Sequence, residues 1–324
     1  MKKRILITAT ELHMLQFWLY HIRHLTEAGY AVELICSHVG GRLEDLRARL
    51  SEIGDIRLTV VDLKRSPVSP HNIHGYFQLR QYLAGNHYDV IITNEPVMGF
   101  MTRLAARTVR RKSGTKVIYF AHGFHFWKGC PIQNWLLLYP LEKIGAHFTD
   151  TLVTMNTEDF ARAKQHLRAN QVVYTYGIGA DLSKFSNVPG IRENKRKELH
   201  VSDDTFVLFS AAELSDRKNL TLAIDVVEKL RDEGCNVQYF NRGVGPKEEE
   251  LRRYIAQKHL ENQVILMGYG RDVRDMCLAA DAFLFTSKQE GLPVAVMEAM
   301  SCRLPCVVSV SYTHLRAHET PEHL

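Results

Sequence analysis

Residues 281–302 read DAFLFTSKQEGLPVAVMEAMSC. The apolar run that opens this stretch has the length and β character of a strand buried on both faces. A Gly- and Pro-containing break follows, and then a helical pattern. An apolar strand that passes through a short loop into a helix is the repeating unit of an α/β fold. Eight positions separate Glu290 from Glu298, just over two helical turns, so Glu290 is predicted in the strand-to-helix loop and Glu298 along the helix. Gly291 permits close backbone approach, and the unpaired N–H groups of a helix start suit a phosphate. The two carboxylates can accept hydrogen bonds from sugar hydroxyls. Without a ligand, the same two residues read as a helix-dipole partner and a solvated face.

The same alternation extends upstream. Strand-like runs at 205–212 (TFVLFSAA), 236–241 (NVQYFN) and 263–268 (QVILMG) are separated by helical stretches near 218–233, 247–260 and 271–279. An earlier series runs through ILITA (5–9), AVELIC (31–36), IRLTVVDL (56–63), YDVIITN (88–94), TKVIYFA (115–121) and DTLVTMN (150–156), with helices near 12–28, 97–112 and 132–146. Between the two series lie a Gly-containing turn at 176–181 and the break Asn187-Val188-Pro189-Gly190. The expectation is two Rossmann-like domains, 1–180 and 181–309, each with a mostly parallel sheet. Residues 310–319, VSYTHLRAHE, are similar to the translation of a transposase adapter from sequencing libraries. That likeness excludes 310–324 from fold reasoning. It implies a second domain truncated at its C-terminus, short of about two strand–helix units of roughly 30 residues each.

The 324 residues are 45% apolar and 24% charged, which excludes disorder and coiled coil. No apolar run approaches the roughly 20 residues of a bilayer span, and Met1-Lys2-Lys3-Arg4 leads directly into a strand rather than a signal peptide. Six cysteines without CxxC pairing point to a reducing cytoplasm and to no metal site. The net charge of +5 divides into +10 over 1–200 and −5 over 201–324. The first domain is therefore expected to face something anionic. The segment 103–116 carries six cations and no acid; with Phe124, Phe126, Trp127 and Trp135 it points to peripheral contact with an anionic membrane. A solvated helix accounts for it equally well, and no nucleic-acid motif accompanies it.

In its EGLPxxxxEAM context, the Glu290–Glu298 element resembles the retaining glycosyltransferases of family four. That resemblance implies the GT-B fold, two Rossmann-like domains facing across a cleft. It places Glu298 on the donor ribose, Glu290 against the donor sugar, and the backbone of Gly291 and Leu292 on the diphosphate. Ala212-Glu213-Leu214-Ser215-Asp216-Arg217-Lys218 fills the turn where the family has basic residues on the diphosphate, with Lys218 matching the family lysine. Many members have Arg at the position of Glu213; Arg217 is the residue that would compensate. Gly243-Val244-Gly245-Pro246 and Met267-Gly268-Tyr269 resemble turns that shape the nucleotide pocket, although such glycines often serve backbone geometry alone. In Ala121-His122-Gly123-Phe124-His125-Phe126, similar to the capsule and exopolysaccharide branch, His122 would face the reacting sugar. Relatives often have His at the position of Asn94, so an acceptor role does not transfer to it.

The resemblance implies a UDP-sugar donor, retention, no required metal, and a lipid-linked acceptor such as an undecaprenyl diphosphate saccharide, handled at the inner face of the cell membrane. A UDP-sugar epimerase of the same fold, or an inactive truncated fragment, are the alternatives.

Overall fold

The computed structural model describes residues 2–126, 130–177, 185, 189–288, 290 and 293–309, and the chain divides after residue 178 into two units. The first unit holds β1 (Arg4–Thr8), β2 (Ala31–Cys36), β3 (Arg57–Val60), β4 (Val90–Asn94), β5 (Lys116–Ala121), β6 (Thr151–Thr154) and β7 (Gln171–Tyr174). These form a parallel sheet in the order β3-β2-β1-β4-β5-β6-β7. Its helices are α1 (Leu12–Glu27), α2 (Leu43–Ser51), α3 (His71–Gly85), α4 (Pro96–Ser113), α5 (Ile132–Ala146) and α6 (Thr157–His166).

The second unit is built the same way. β8 (Phe206–Ala211), β9 (Val237–Arg242), β10 (Val264–Leu266), β11 (Ala282–Phe285) and β12 (Cys306–Val308) form a parallel sheet ordered β10-β9-β8-β11-β12. Its helices are α7 (Ile191–Glu198), α8 (Leu220–Asp232), α9 (Glu248–Gln257), α10 (Val273–Ala279) and α11 (Val294–Ser301). All four residues of β11 are buried, as a strand covered on both faces requires. In each sheet the strand order reverses once, between β1 and β4 and between β8 and β11. Crossovers on either side of such a reversal leave the sheet on opposite faces, which opens a crevice at the carboxyl ends of the strands.

Two differences from the expected elements have local causes. The strand expected over 56–63 ends at Val60, because α3 passes over the residues that follow: a Cβ on Gly75 would lie 2.5 Å from the Asp62 carbonyl oxygen and from Leu63 Cδ2. α3 itself, which carries two glycines and follows the proline-containing stretch 67–70, is not among the expected helices, nor are α2 and α6, and β7 and β12 are not among the expected strands. α4 shows conventional end signals, with Pro96 in its first turn, Gly114 in the left-handed region at φ 69°, and Arg110, Arg111 and Lys112 in the last turn.

The first unit buries an ion pair between α4 and α5. Arg103, fully buried, donates from Nη2 to Glu142 Oε2 at 2.8 Å and from Nε to the Gly99 carbonyl at 2.8 Å; its guanidinium lies 3.8 Å from the centre of the Tyr119 ring. The Tyr119 hydroxyl donates to Glu142 Oε1 at 2.6 Å. Gly145 leaves the space this requires, since a Cβ there would stand 2.6 Å from Arg103 Cζ. Removing one member strands a buried charge, so Glu142→Ala is expected to destabilise the unit by about 3–5 kcal/mol. A drop in the midpoint of urea-induced unfolding is the check, and an unchanged midpoint would show that the pair is not buried as described.

Candidate active site

His122, Arg217, Lys218 and Glu290 each sit on a loop at the carboxyl end of a strand, and Glu298 on the helix that follows β11. In the second unit, the loop after β8 carries Arg217 and Lys218, and the loop after β11 carries Glu290. The two loops are joined through backbone: the Lys288 N–H donates to the Arg217 carbonyl at 2.8 Å, and Thr286 Oγ1 donates to the Lys218 carbonyl at 3.1 Å. On that frame Lys218 Nζ lies 2.5 Å and Arg217 Nη1 2.8 Å from the same oxygen, Glu290 Oε1. The Lys218 ammonium also lies 5.0 Å from the centre of the Phe285 ring. Burial lowers the Lys218 pKa, opposed by the Glu290 charge. Two cations converge on one carboxylate, and the charge of Glu213 in the same loop also acts on Lys218; Arg217 and Lys218 are the groups here suited to an anion.

Glu298 stands on α11, in its middle as the spacing predicted. It is part-buried, no hydrogen bond or ion pair joins it to a described residue, and burial raises its carboxyl to about 7. Among the described residues this carboxylate is an acceptor without a partner. The hydroxyls of Ser215 and Ser287, on the same two loops, are likewise buried and unpaired among the described residues. Both stood in the quoted motifs, but nothing in their residue type singled them out. Gly291 and Leu292 lie outside the described residues.

The glycines after β9 and β10 serve a different end. A Cβ on Gly243 would come within 2.0 Å of the Ala212 carbonyl oxygen, and one on Gly245 within 2.4 Å of the Leu214 carbonyl oxygen. Their absent side chains let the loop after β9 pack on the loop that carries Lys218. The Gly243 N–H donates to the Gly268 carbonyl at 3.0 Å, and Gly268 takes φ 70° with open space where a side chain would lie.

In the first unit His122 follows β5, part-buried, with Nε2 2.8 Å from Asn94 Oδ1. Trp18 Nε1 donates to the same oxygen at 3.1 Å, while Asn94 Nδ2 donates to the Thr8 carbonyl at 3.0 Å. An amide oxygen only accepts, so His122 Nε2 carries the proton and Nδ1 is left as the acceptor nitrogen. Burial pushes the imidazole down to about 4, which keeps it neutral at physiological pH.

Glu95, beside Asn94, adopts φ 64°, and its carboxylate accepts from the Thr10 and Glu11 N–H groups at 2.6 and 3.0 Å. Those amides precede α1, where a Rossmann unit often holds a phosphate; here an internal carboxylate, raised by burial to about 7, occupies them. Glu95 was not singled out from the sequence, since its role depends on strained backbone at a single position.

Several of the residues named for a membrane contact turn inward. Arg103 is buried, Arg110 is paired with Asp150 at 2.7 Å, and Phe124 and Phe126 belong to the core beside Tyr119. Trp127 lies outside the described residues, and Trp135 packs against Phe126 and Tyr139. Among the described residues, no three His, Cys, Asp or Glu side chains gather as a metal site.

Two family models match the chain, Glycosyltransferase Family 4 over 16–175 and Glycosyl transferases group 1 over 191–317. EpsD of Bacillus subtilis (strain 168), named as a glycosyltransferase, is 32% identical across 97% of this chain and 80% of its own length. The chain belongs to the family 4 glycosyltransferases. An Escherichia coli protein named UDP-Gal:alpha-D-GlcNAc-diphosphoundecaprenol alpha-1,3-galactosyltransferase is 26% identical to this glycosyltransferase over 71% of the chain and 60% of its own length. Among solved structures, Anabaena HepE in complex with UDP and glucose matches with a TM-score of 0.76 at 18% identity, covering 98% of this chain and 83% of that one. The fold of the glycosyltransferase is GT-B.

The His122 arrangement is open to direct measurement. Nitrogen-15 NMR of the imidazole is expected to show the Nε2–H tautomer, titrating near 4. Asn94→Asp, which places a carboxylate against Nε2, is expected to raise that midpoint by at least one unit. An unshifted midpoint would remove Asn94 as the partner.

Proposed function

We propose that this glycosyltransferase moves a hexose or N-acetylhexosamine from a UDP-sugar to a lipid-linked saccharide, with retention at the anomeric carbon, in capsule, exopolysaccharide or O-antigen assembly. The observation that carries the reading is the convergence of Arg217 and Lys218 on Glu290 where the strand order reverses between β8 and β11. A diphosphate entering that crevice meets two preplaced cations, and charge stabilisation of the departing UDP is the largest contribution asked of the protein. No metal is needed for this scheme. Glu298, on α11 and unpaired among the described residues, holds the ribose hydroxyls, and Glu290 lies against the donor sugar. His122, neutral with Nδ1 free to accept, positions a hydroxyl of the reacting sugar.

In the reaction, the bond from the anomeric carbon to the β-phosphate oxygen breaks and a bond to the acceptor oxygen forms on the same face. The acceptor's hydroxyl proton passes to the leaving phosphate, so no protein base is required. The E. coli relative named above supports a UDP-linked donor and a diphosphoundecaprenol acceptor. Such an acceptor places the enzyme at the cytoplasmic face of a membrane.

Calorimetric titration with UDP, and with ADP and GDP as controls, tests the donor. Glu298→Ala is expected to weaken UDP binding by at least tenfold, whereas His122→Ala slows transfer and leaves UDP affinity nearly unchanged. Loss of UDP binding in the His122 variant would overturn the division of roles. Because burial holds the Glu298 carboxyl near 7, affinity for an intact UDP-sugar should rise as pH increases through that value and the carboxylate ionises. Glu298→Gln should flatten the profile. Turnover of UDP-sugar without any lipid-linked acceptor would favour an epimerase instead.

A further inference from the structure

Three of the six cysteines meet in the second unit, although no sequence spacing marks them as a set. Cys277 on α10, Cys302 at the C-terminal cap of α11 and Cys306 on β12 pack in one apolar cluster, the first buried and the other two half-buried. Their thiols are not equivalent. The Cys277 thiol meets the Cys302 thiol as a hydrogen-bond donor, which stabilises a thiolate on Cys302 and keeps the proton on Cys277. The charge of Arg274 on α10 also favours the Cys302 thiolate, against burial and the charges of Glu298 and Asp275. Cys302 is accordingly held below the ordinary thiol value and Cys277 above it. Cys306 stands apart: its thiol donates to the Leu304 carbonyl at 3.3 Å, and burial pushes it up to about 11. Cys277 and Cys302 both line a cavity of about 380 Å³ bordered by Arg192 and Arg303, which gives a small molecule a way to the pair.

We propose that Cys277 and Cys302 form an oxidation site that takes a hydroperoxide and closes to a disulfide. In the first step the Cys302 thiolate attacks one oxygen of the hydroperoxide and the O–O bond breaks. A sulfenic acid forms on Cys302, and an alcohol, or water from hydrogen peroxide, departs after taking up the proton that the thiol released. The Cys277 sulfur then attacks the Cys302 sulfur, the S–O bond breaks, and water leaves with the Cys277 proton. The two thiols lose two electrons in all, and one hydroperoxide is reduced. A thiol–thiol contact is longer than the S–S bond of about 2.05 Å, so closure draws the end of α11 toward α10. Glu298 lies one turn away on that helix, where its carbonyl accepts from the Cys302 N–H at 3.2 Å. Oxidation is therefore expected to weaken nucleotide binding; this consequence rests on the role proposed for Glu298, whereas the disulfide does not. In a reducing compartment such a bridge is transient, which suits a site that senses oxidant.

The test is exposure of the full chain to hydrogen peroxide, followed by mapping of its peptides without reduction. The expected product is one intramolecular bridge, Cys277 to Cys302, which dithiothreitol reverses. Cys302→Ser removes the bridge, and Cys277→Ser stops the reaction at the Cys302 sulfenic acid, which dimedone captures. UDP affinity is expected to fall by about tenfold on oxidation of the wild-type chain, to return with dithiothreitol, and to persist in oxidised Cys277→Ser. UDP binding by the two reduced variants shows that they fold. A bridge that involves Cys306, dimedone capture at Cys277 rather than Cys302, or no bridge at all overturns the proposal. A bridged chain with unchanged UDP affinity overturns the link to Glu298. Absence of UDP binding by the reduced wild-type chain is instead a failure of the donor reading, and the peptide map still decides the dithiol.

Discussion

Strand-order reversal within a parallel sheet is the constraint on which the rest depends. Right-handed crossovers oblige helices on either side of the reversal to lie on opposite faces, so the loops above two adjacent strands cannot be closed by a common helix. Both units use this gap. In the second, the loops after β8 and β11 bring Lys218 and Glu290, 72 residues apart in sequence, within 2.5 Å. In the first, the loops after β1 and β4 meet through Glu95, and Asn94 at the end of β4 holds both Trp18 and His122. In the second unit a backbone hydrogen bond between the loops, from Lys288 N–H to the Arg217 carbonyl, helps to fix this meeting, and the glycines at 243 and 245 let a third loop pack close by.

The two units answer the same geometry with opposite electrostatics. In the first, the amides before α1 already hold an internal carboxylate, so that turn offers no ready phosphate site. In the second, two cations converge on one carboxylate, and no internal group of this kind occupies a helix-start turn among the described residues. The proposed division of labour assigns the donor to the second unit and the acceptor to the first. His122 fits the latter as a neutral group whose tautomer is dictated by neighbours rather than by solution pH.

The charge asymmetry along the chain acquires a structural meaning only through burial. The basic segment 103–116 looked uniform, yet Arg103 serves the α4–α5 contact and Arg110 is held by Asp150. Arg107, Arg111 and Lys112 are exposed and form no ion pair among the described residues.

By itself, the sequence determined the two α/β units, the strand-to-helix placement of Glu290, the helical position of Glu298, and the family to which the chain belongs. These follow from local periodicity, Gly and Pro punctuation and a dense motif, all of which are read within about 20 residues. Tertiary structure alone decided which residues meet. The convergence of Arg217 and Lys218 on Glu290, the protonation of His122 through Asn94, the strained Glu95 and the ion pair of Arg103 with Glu142 all join positions far apart in the chain. Even the burial of Phe124 and Phe126, neighbours of His122, was invisible to composition, because an aromatic residue after a strand can face the core or solvent with equal sequence logic. The physical reason is common to all of these: period and propensity act along the chain, whereas ion pairing, tautomer selection and exposure are set by neighbours that only folding supplies.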